Sequence, residues 1–296
     1  MANIGFIGLG LMGSAMVQRL LDKGHALTVL GNRDRTGLDA AVARGAAEAP
    51  TARAVAEAAD VVMLCMGTSE HVEGRMRGAD GVIAGLSQGM TVIDFGTSLP
   101  GSTRDLAAEV EAAGAAYLDA PLGRTPSHGR EGQLNIMASG DRAAFDAVRP
   151  LLDDLGENVF HLGAVGSGHT IKLINNFFAM TTANAMAEAF AMADVAGIER
   201  QALYDVMSAG PLHSGMMDFI KAHAVDGEMK LAFSIANAGK DVGYYRRMVE
   251  DAGFESIMSA CADRALREAK EAGRGDAMVP EMVEFYAARF SDGGEA

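Results

Sequence analysis

Short, continuous apolar runs alternate with helix-like segments through the first half of the chain. The runs occupy residues 3–10, 26–32, 60–66, 91–96, 115–122, 133–140 and 158–163. The segments between them that show helical periodicity are residues 14–24, 38–45, 102–114 and 142–154. Apolar strands separated by helices are typical of a parallel sheet that is covered on both faces. The pattern therefore predicts an α/β fold whose N-terminal part is a doubly wound parallel sheet.

After Gly168 the pattern changes to helical periodicity, and no further strand is predicted as far as residue 290. Residues 170–197, rich in alanine and methionine, predict one long helix that ends at Gly197. A helix that is apolar on nearly every side needs neighbours on several sides. We therefore expect an all-α C-terminal domain at residues 165–296, after a sheet domain at residues 1–164.

One polar cluster interrupts the long apolar helix. Lys172 lies three and four residues before Asn175 and Asn176, and residues with that spacing share a helix face. Burying an ammonium and two amides is costly unless each has a partner. The cluster is therefore predicted to face a cleft, a ligand or a subunit boundary.

Composition and charge narrow the possible partners. A formal net charge of −14 argues against nucleic acid, since proteins that bind it concentrate Lys and Arg on one face. The two cysteines, Cys65 and Cys261, form neither a disulfide framework nor a metal-type spacing with histidine. No apolar stretch reaches about 18 uninterrupted residues, and MANIGFIGLG lacks signal-peptide features. We expect a cytoplasmic protein with no metal, no membrane segment and no nucleic-acid partner.

A glycine motif follows the first apolar run. Gly8, Gly10 and Gly13, with Leu11 and Met12 between the last two, form G-x-G-x-x-G at the start of the first helix. At this place the helix N-terminus offers N–H donors to a pyrophosphate, and the glycines let it approach. The motif predicts a dinucleotide cofactor; the alternative is a glycine-rich turn without a ligand.

The end of the second strand indicates which dinucleotide is bound. NAD-binding domains usually place an acidic residue about 20 positions past the glycine motif, where it holds the ribose 2′-hydroxyl. This chain has Asn32 and Arg33 there, and an arginine favours a 2′-phosphate. We predict that NADP(H) is preferred, while the neighbouring Asp34 keeps NAD possible.

Four motifs in the same order resemble the β-hydroxyacid dehydrogenases, the relatives of 3-hydroxyisobutyrate dehydrogenase. They are FIGLGLMG at 6–13, DAPLG at 119–123, GAVGSGHTIKLINN at 163–176, and the late Lys240-Asp241 pair. The resemblance covers nearly the whole chain. It implies an N-terminal Rossmann domain, a helical domain that serves oligomerisation, and an active site in the cleft between them. A homodimer or a homotetramer is the implied assembly.

The resemblance also implies roles for individual residues. Lys172 would be the general acid and base, and Asn176 would orient it and the substrate. This fits carbonyl reduction, because hydride transfer leaves negative charge on an oxygen that an ammonium can stabilise and protonate. The alternative is a lysine that extends to a subunit rim.

Further positions match the family with substitutions. Met66 and Thr97 are the expected contacts near the cofactor, although each stands in a motif that departs from the family pattern. Lys240 is expected to contact the cofactor and Asp241 the substrate. His128, Arg130, His169 and His213 are interpreted as loop or cap residues.

The loop after DAPLG indicates the substrate class. Most of the family has Ser-Gly-Gly where this chain has Gly123, Arg124 and Thr125, and a guanidinium can bind two oxygens of an oxyanion. This loop resembles the sulfolactaldehyde reductase branch, in which Arg124, Thr125 and Asn175 would match sulfonate ligands. Ala179 replaces a serine of that branch, so a carboxylate semialdehyde stays possible.

The leading hypothesis is an NADPH-linked reductase of a small anionic aldehyde. Sulfolactaldehyde comes first, followed by semialdehydes of the 3-hydroxyisobutyrate or 4-hydroxybutyrate dehydrogenase type. An imine reductase and a catalytically silent NADP-bound sensor are alternatives on the same fold. Lys172 argues against both, because such proteins typically lack this lysine.

Overall fold

The computed structural model describes residues 2–32 and 34–292, which form two compact units. One unit extends to Lys172 and the other begins at Leu173. The division falls inside a long helix, later than the predicted domain boundary between residues 164 and 165. That boundary stays a prediction.

The first unit is built on a nine-stranded sheet. Its strands are β1 (Asn3–Ile7), β2 (Ala26–Leu30), β3 (Ala47–Ala49), β4 (Val61–Leu64), β5 (Thr91–Asp94), β6 (Ala116–Asp119), β7 (Leu122–Gly123), β8 (Leu134–Gly140) and β9 (Gly156–His161). They pair in the order β3-β2-β1-β4-β5-β6-β8-β7, and β9 also pairs with β8. The first six strands in that order are parallel, which confirms the doubly wound sheet. Beyond them β8 is antiparallel to β6 and β7, a direction that the apolar pattern does not specify.

Helices cover both faces of this sheet. They are α1 (Leu11–Asp22), α2 (Thr36–Val42), α3 (Ala52–Glu57), α4 (Ser69–Met76), α5 (Pro100–Ala112), α6 (Pro126–Glu131) and α7 (Arg142–Leu155). In β4, Val61 and Met63 pack in the core that includes α1 and α7, whereas Val62 and Leu64 pack in the core that includes α3 and α5. Because successive strand residues point to opposite faces, a strand buried on both sides must be continuously apolar.

The predicted strand at residues 115–122 divides into β6 and β7. Four short elements were not predicted from the sequence: β3, α3, α4 and α6. Each has eight residues or fewer, too few to display a clear period. The predicted first strand, residues 3–10, was too long. The structure ends it at Ile7 because Gly8 turns the chain with a φ of +103°.

The long helix α8 (Ser167–Val195) begins three residues before its predicted start. The carboxylate of Asp119 accepts the backbone N–H groups of Gly166 at 2.7 Å and His169 at 2.8 Å. The Gly168 N–H donates to the Ser139 hydroxyl at 2.9 Å. N–H groups at a helix start have no partner within the helix, so this buried carboxylate satisfies them and complements the helix dipole.

Among the described residues of the second unit, the regular elements are all helices, apart from an isolated bridge between Ser234 and Met278. After α8 it contains α9 (Arg200–Ser208), α10 (Gly215–Ala224), α11 (Ile235–Asp251), α12 (Ile257–Ala269) and α13 (Met282–Asp292). Phe190, Leu266 and Val283 are fully buried in its core. The all-α prediction for this part is confirmed. Across residues 2–32 and 34–292, no helix combines the length and the apolar character needed to cross a membrane.

Gly168→Ala should destabilise the anchored start of α8. An added Cβ would lie 2.2 Å from the Met137 carbonyl oxygen, so the free energy of unfolding should fall by about 1–3 kcal/mol. Gly101→Ala is the matched control, because Gly101 is also the second residue of a helix and a Cβ there meets open space. Urea denaturation followed by circular dichroism measures both variants. Equal stabilities would contradict the close approach of α8 to β8.

Candidate active site

The glycine loop between β1 and α1 is shaped for close approach. A Cβ on Gly8 would lie 2.3 Å from the Cys65 carbonyl oxygen, and one on Gly13 would lie 1.8 Å from the Gly8 carbonyl oxygen. A Cβ on Gly10 would meet nothing within 4 Å. No side chain caps the start of α1, and its first turn, which includes Leu11 and Met12, has no acidic residue. The uncapped N–H groups and their positive helix end fit a pyrophosphate.

A cleft of about 260 Å³ opens at the carboxyl ends of β1, β2 and β4. Its lining is Ile7, Gly8, Leu9, Gly10, Leu30, Gly31, Asn32, Asp34, Cys65, Met66, Gly67, His71 and Arg75. In open α/β sheets, ligands bind outside the carboxyl ends of the strands where the strand order reverses, and here that point is beside β1. The cleft therefore brings together the predicted cofactor residues Gly8, Gly10, Asn32 and Met66.

His71 and Arg75 are cleft residues that the sequence analysis missed. Both project from α4, four residues apart, so they share a helix face. The Thr68 hydroxyl caps this helix by accepting the His71 N–H at 3.2 Å. That threonine after a predicted strand is the signal that could have located α4 and its two basic side chains.

The end of β2 holds the residues expected to select the cofactor. Asn32 lines the cleft, whereas Arg33 lies outside the described residues. The Asp34 carboxylate accepts the Thr36 N–H at 2.9 Å, and this hydrogen bond lowers the pKa of Asp34. The Asp34 carboxylate at this end of the cleft is therefore ionised, and it binds the first backbone N–H of α2.

Cys65 lines the cleft but is not a nucleophile. The low-polarity surroundings of its half-buried thiol, together with the Asp94 carboxylate, raise the pKa of Cys65 to about 12. A thiol with that pKa stays protonated near neutral pH, and only the thiolate attacks. Cys65 shapes the lining of the cleft, and its backbone carbonyl lies against Gly8 of the glycine loop.

Thr97 lies in a loop that a buried carboxylate organises. Asp94 ends β5 and is fully buried; it accepts the Gly96 N–H at 2.8 Å and the Ser98 hydroxyl at 3.0 Å. The Tyr117 hydroxyl donates to the same carboxylate at 3.4 Å. Burial and the nearby carboxylates raise the pKa of Tyr117 well above its ordinary value, so it remains a donor. The half-buried Thr97 is thus held from both sides.

The prediction that His169 is a loop or cap residue was wrong. It lies in the first turn of α8, its side chain is fully buried, and its Nδ1 lies 2.7 Å from the Thr103 hydroxyl. His213 fits the prediction, since it lies between α9 and α10 and contacts Asp218 at 2.9 Å. Sequence pattern alone did not reveal that His169 is enclosed by the ends of two strands.

The polar cluster on α8 leads into a chain of hydrogen bonds in the helical unit. Asn175 donates to the Asn176 side-chain oxygen at 3.2 Å, and Asn176 donates to the Asp241 carboxylate at 2.6 Å. The Lys240 ammonium lies 2.9 Å from the other Asp241 oxygen. Asn176 and Asp241 are buried, whereas Lys172, one turn earlier on the same helix, is half-buried. The structure therefore brings together four of the predicted site residues, Asn175, Asn176, Lys240 and Asp241. The nitrogen and the oxygen of the Asn176 amide are both held by hydrogen bonds.

The loop at residues 123–125, predicted to bind the substrate, has an unusual backbone. Gly123 ends β7, and Arg124 has a φ of +76°, in the left-handed region that costs a non-glycine residue energy. The Arg124 guanidinium donates to the Gln133 carbonyl oxygen at 2.7 Å and pairs with the Glu157 carboxylate. The Thr125 hydroxyl lies 2.7 Å from the His128 imidazole Nδ1. An anion that binds Arg124 must therefore compete with Glu157.

Metal chemistry has no evident site. In the part of the chain that the structure describes, no three His, Cys, Asp or Glu side chains are grouped as metal ligands. The Zn²⁺-binding enzymes require such a group to hold and activate a water.

Family profiles match both parts of the chain. One, described as the NAD binding domain of 6-phosphogluconate dehydrogenase, matches residues 3–163. Another, described as the NAD-binding of NADP-dependent 3-hydroxyisobutyrate dehydrogenase, matches residues 166–286. Together they cover the sheet unit and most of the helical unit.

Individual relatives agree with these profiles. An NAD-dependent L-serine dehydrogenase from Pseudomonas aeruginosa is 36% identical over 207 residues, which are 70% of this chain and 69% of that protein. A 2-hydroxy-3-oxopropionate reductase from Escherichia coli is 32% identical over 242 residues, 81% of this chain and 82% of that protein. Other relatives are longer: the chain spans about half of the cytokine-like nuclear factor N-PAC, 53% in Xenopus tropicalis.

A solved structure shows the same architecture over the whole length. The 3-hydroxyisobutyrate dehydrogenase of Mycobacterium tuberculosis, solved with L-serine, superposes with a TM-score of 0.87 at 26% identity. The match covers 96% of this chain and 99% of that one. With the glycine loop, its cleft and the two family profiles, this likeness identifies the chain as a member of the NAD(P)-dependent β-hydroxyacid dehydrogenases, oxidoreductases that act on a CH–OH group.

Proposed function

We propose that the protein is an NADPH-linked reductase of a small anionic aldehyde, interconverting a semialdehyde and its hydroxy acid. The observation that supports this most is the placement of Lys172 one helical turn before Asn176, whose amide is fixed by Asp241 and Asn175. Such an arrangement presents an ammonium beside an oriented amide, as reduction of a carbonyl requires.

NADPH, when bound, supplies a hydride to the carbonyl carbon of the substrate. As the new C–H bond forms, the electron pair of the C=O bond moves to the oxygen, which takes a proton from the Lys172 ammonium. In the reverse direction the neutral Lys172 amine removes that proton. Asn176 keeps its orientation because its N–H donates to Asp241 and its oxygen accepts from Asn175.

The anionic end of the substrate is assigned to the Arg124 loop. Arg124 and Thr125, with Asn175, are the proposed ligands of a sulfonate or carboxylate, and Gly123 keeps the backbone close. The relatives named for L-serine and for 2-hydroxy-3-oxopropionate support a three-carbon acid. Gly123, Arg124 and Thr125 stand where most of the family has Ser-Gly-Gly, and the Arg124 guanidinium favours a sulfonate such as sulfolactaldehyde. Succinate semialdehyde and 3-hydroxyisobutyrate-type substrates are second.

NADP(H) is the proposed cofactor, with NAD possible. Asn32 lines the cleft where the ribose would lie, and Arg33 follows it in the sequence. Asp34 lies in the same cleft lining with an ionised carboxylate that accepts the Thr36 N–H, and this negative charge keeps NAD possible. Arg75 lines the same cleft and adds positive charge. The profile that matches residues 166–286 is described as that of an NADP-dependent enzyme, whereas the Pseudomonas relative is named as an NAD-dependent enzyme.

A cytoplasmic location and a homodimeric or homotetrameric assembly remain part of this proposal. Exposed apolar side chains on the helical unit support an assembly, among them Val206, Phe254 and Ile257, each more than 70% exposed. The presence of Lys172 supports a hydroxyacid dehydrogenase over an imine reductase or a catalytically silent NADP-bound sensor, because such proteins typically lack this lysine.

Lys172→Ala should lower kcat by at least about a hundredfold, which is the scale of a lost general acid. The dissociation constant of NADPH should change little. Lys230→Ala is the matched control, since Lys230 is an exposed lysine of the helical unit paired with Glu228. Steady-state reduction of a semialdehyde panel and cofactor fluorescence titration give both quantities. A loss in kcat of less than about tenfold would show that Lys172 has no chemical role and would favour the alternative of a lysine that extends to a subunit rim.

Arg33→Ala should weaken NADPH binding by about 1.5–3 kcal/mol, the scale of a hydrogen bond to a charged group, and leave NADH binding nearly unchanged. Arg75→Ala should act in the same direction with a smaller effect, since Arg75 reaches the cleft from α4. Arg53→Ala, which removes an exposed arginine paired with Glu57, is the control. Equal use of NADPH and NADH by the unaltered protein would refute the cofactor assignment.

Arg124→Lys should lower kcat/KM for sulfolactaldehyde and succinate semialdehyde by about tenfold or more, because a point charge cannot copy the fork of a guanidinium. An uncharged aldehyde of equal length should be a poor substrate and respond little. Glu157→Gln should lower KM for the anions, since it frees Arg124 from its carboxylate partner.

The same panel separates the possible substrates. A loss confined to the carboxylate would place sulfolactaldehyde second. Equal losses on all three aldehydes would show that Arg124 supports the loop through Gln133 and Glu157 and does not bind the anion.

A further inference from the structure

The imidazole of His169 is enclosed at the ends of β5 and β6 and has no part in the proposed chemistry. Its Nε2 lies 3.8 Å from an Asp94 carboxylate oxygen, and its Nδ1 lies 3.9 Å from an Asp119 carboxylate oxygen. All three side chains are buried, with at most 1% of each exposed. Within the described part of the chain, the Nε2 atom has no hydrogen-bond partner. A buried polar atom in this condition requires an explanation.

One side of the ring is fixed by Thr103. The Thr103 hydroxyl donates to the Leu99 carbonyl oxygen at 3.1 Å, which uses its single proton. The His169 Nδ1–H then donates to the Thr103 oxygen at 2.7 Å, an assignment that follows from the network. This bond joins the first turn of α8 to the first turn of α5.

The other side of the ring faces the carboxylate that organises the Thr97 loop. Asp94 holds Gly96 and Ser98, the two neighbours of Thr97. Asp119 holds the backbone of His169 itself, three residues before Lys172. The ring therefore lies between the loop that contains Thr97, an expected contact near the cofactor, and the helical turn that carries the proposed proton donor.

We propose that His169 is a positioning residue. It holds the loop at residues 95–99, which contains Thr97, and the turn at residues 166–172, which contains Lys172, in a fixed position relative to each other. This inference rests on the proposed function, because it assigns the ring to the relative placement of hydride donor and proton donor. Reactions of this kind are sensitive to such placement, and a shift of about 1 Å can cost on the order of a hundredfold in rate. The role differs from plain packing, since it requires the polar contact with Thr103.

The test compares variants that keep or remove that contact. His169→Leu and Thr103→Val remove it with little change in volume, whereas His169→Gln and Thr103→Ser retain a polar group. With NADPH and the best aldehyde of the panel, the first two should lower kcat by roughly 10- to 100-fold, with KM and the NADPH dissociation constant changed by less than about threefold. His169→Gln and Thr103→Ser should restore kcat to within about fivefold of the unaltered protein.

Thr103→Val decides the question if His169→Leu does not fold. A folded Thr103→Val or His169→Leu protein with kcat within about twofold of the unaltered enzyme would overturn the proposal. So would a failure of His169→Gln to restore any activity relative to His169→Leu, since shape alone would then account for the effect.

Hydrogen exchange gives a readout that needs no substrate. In Thr103→Val and His169→Leu, amides of residues 95–99 and of residues 166–172 should both exchange faster, because the ring holds both segments. Faster exchange in only one segment would contradict the coupling. If the unaltered protein reduces none of the aldehydes, the proposed function fails, and the exchange result still decides whether His169 joins the two segments.

Discussion

The buried carboxylate of Asp119 determines where α8 starts, and the proposed chemistry depends on that start. It accepts two backbone N–H groups of the helix end and the hydroxyl of Ser139, so three hydrogen bonds hold this carboxylate in place. Hydrogen bonds to an ionised acceptor are roughly twice as strong as neutral ones. Lys172 therefore belongs to a helical turn that is tied to the sheet, in the same unit of the structure as the cleft.

The second constraint lies in the helical unit. Asp241 is only 3% exposed and meets the Asn176 amide and the Lys240 ammonium. A buried carboxylate without such partners would be costly, so each of these residues depends on the other two. The result is an amide with one orientation, one turn along the helix from the proposed acid and base. A rigid amide and a tethered ammonium are what a preorganised site requires.

Much of this organisation could be predicted from the sequence. Continuous apolar runs located the strands of the parallel sheet, because buried strands must be apolar on both faces. The glycine spacing located the cofactor loop, since Gly8 and Gly13 admit no side chain. The family resemblance added Lys240 and Asp241, which no periodicity marks.

Other features depend on contacts that sequence patterns do not encode. The helix with His71 and Arg75 has only eight residues, too short to show its period. His169 was interpreted as a loop or cap residue because the side chains that enclose it, Asp94, Thr103 and Asp119, are distant in sequence. The ion pair of Arg124 with Glu157 likewise joins residues far apart along the chain. Long-range pairings of this kind appear only when the chain is folded.

The central claim is that the Lys172 ammonium donates the proton during hydride transfer. Chemical rescue tests it most directly: the Lys172→Ala enzyme is assayed with NADPH and its best aldehyde in the presence of small primary amines of different pKa. We expect kcat to rise in proportion to the concentration of the protonated amine and to vary with its acidity. Absence of rescue by any amine, with NADPH binding intact, would contradict the account.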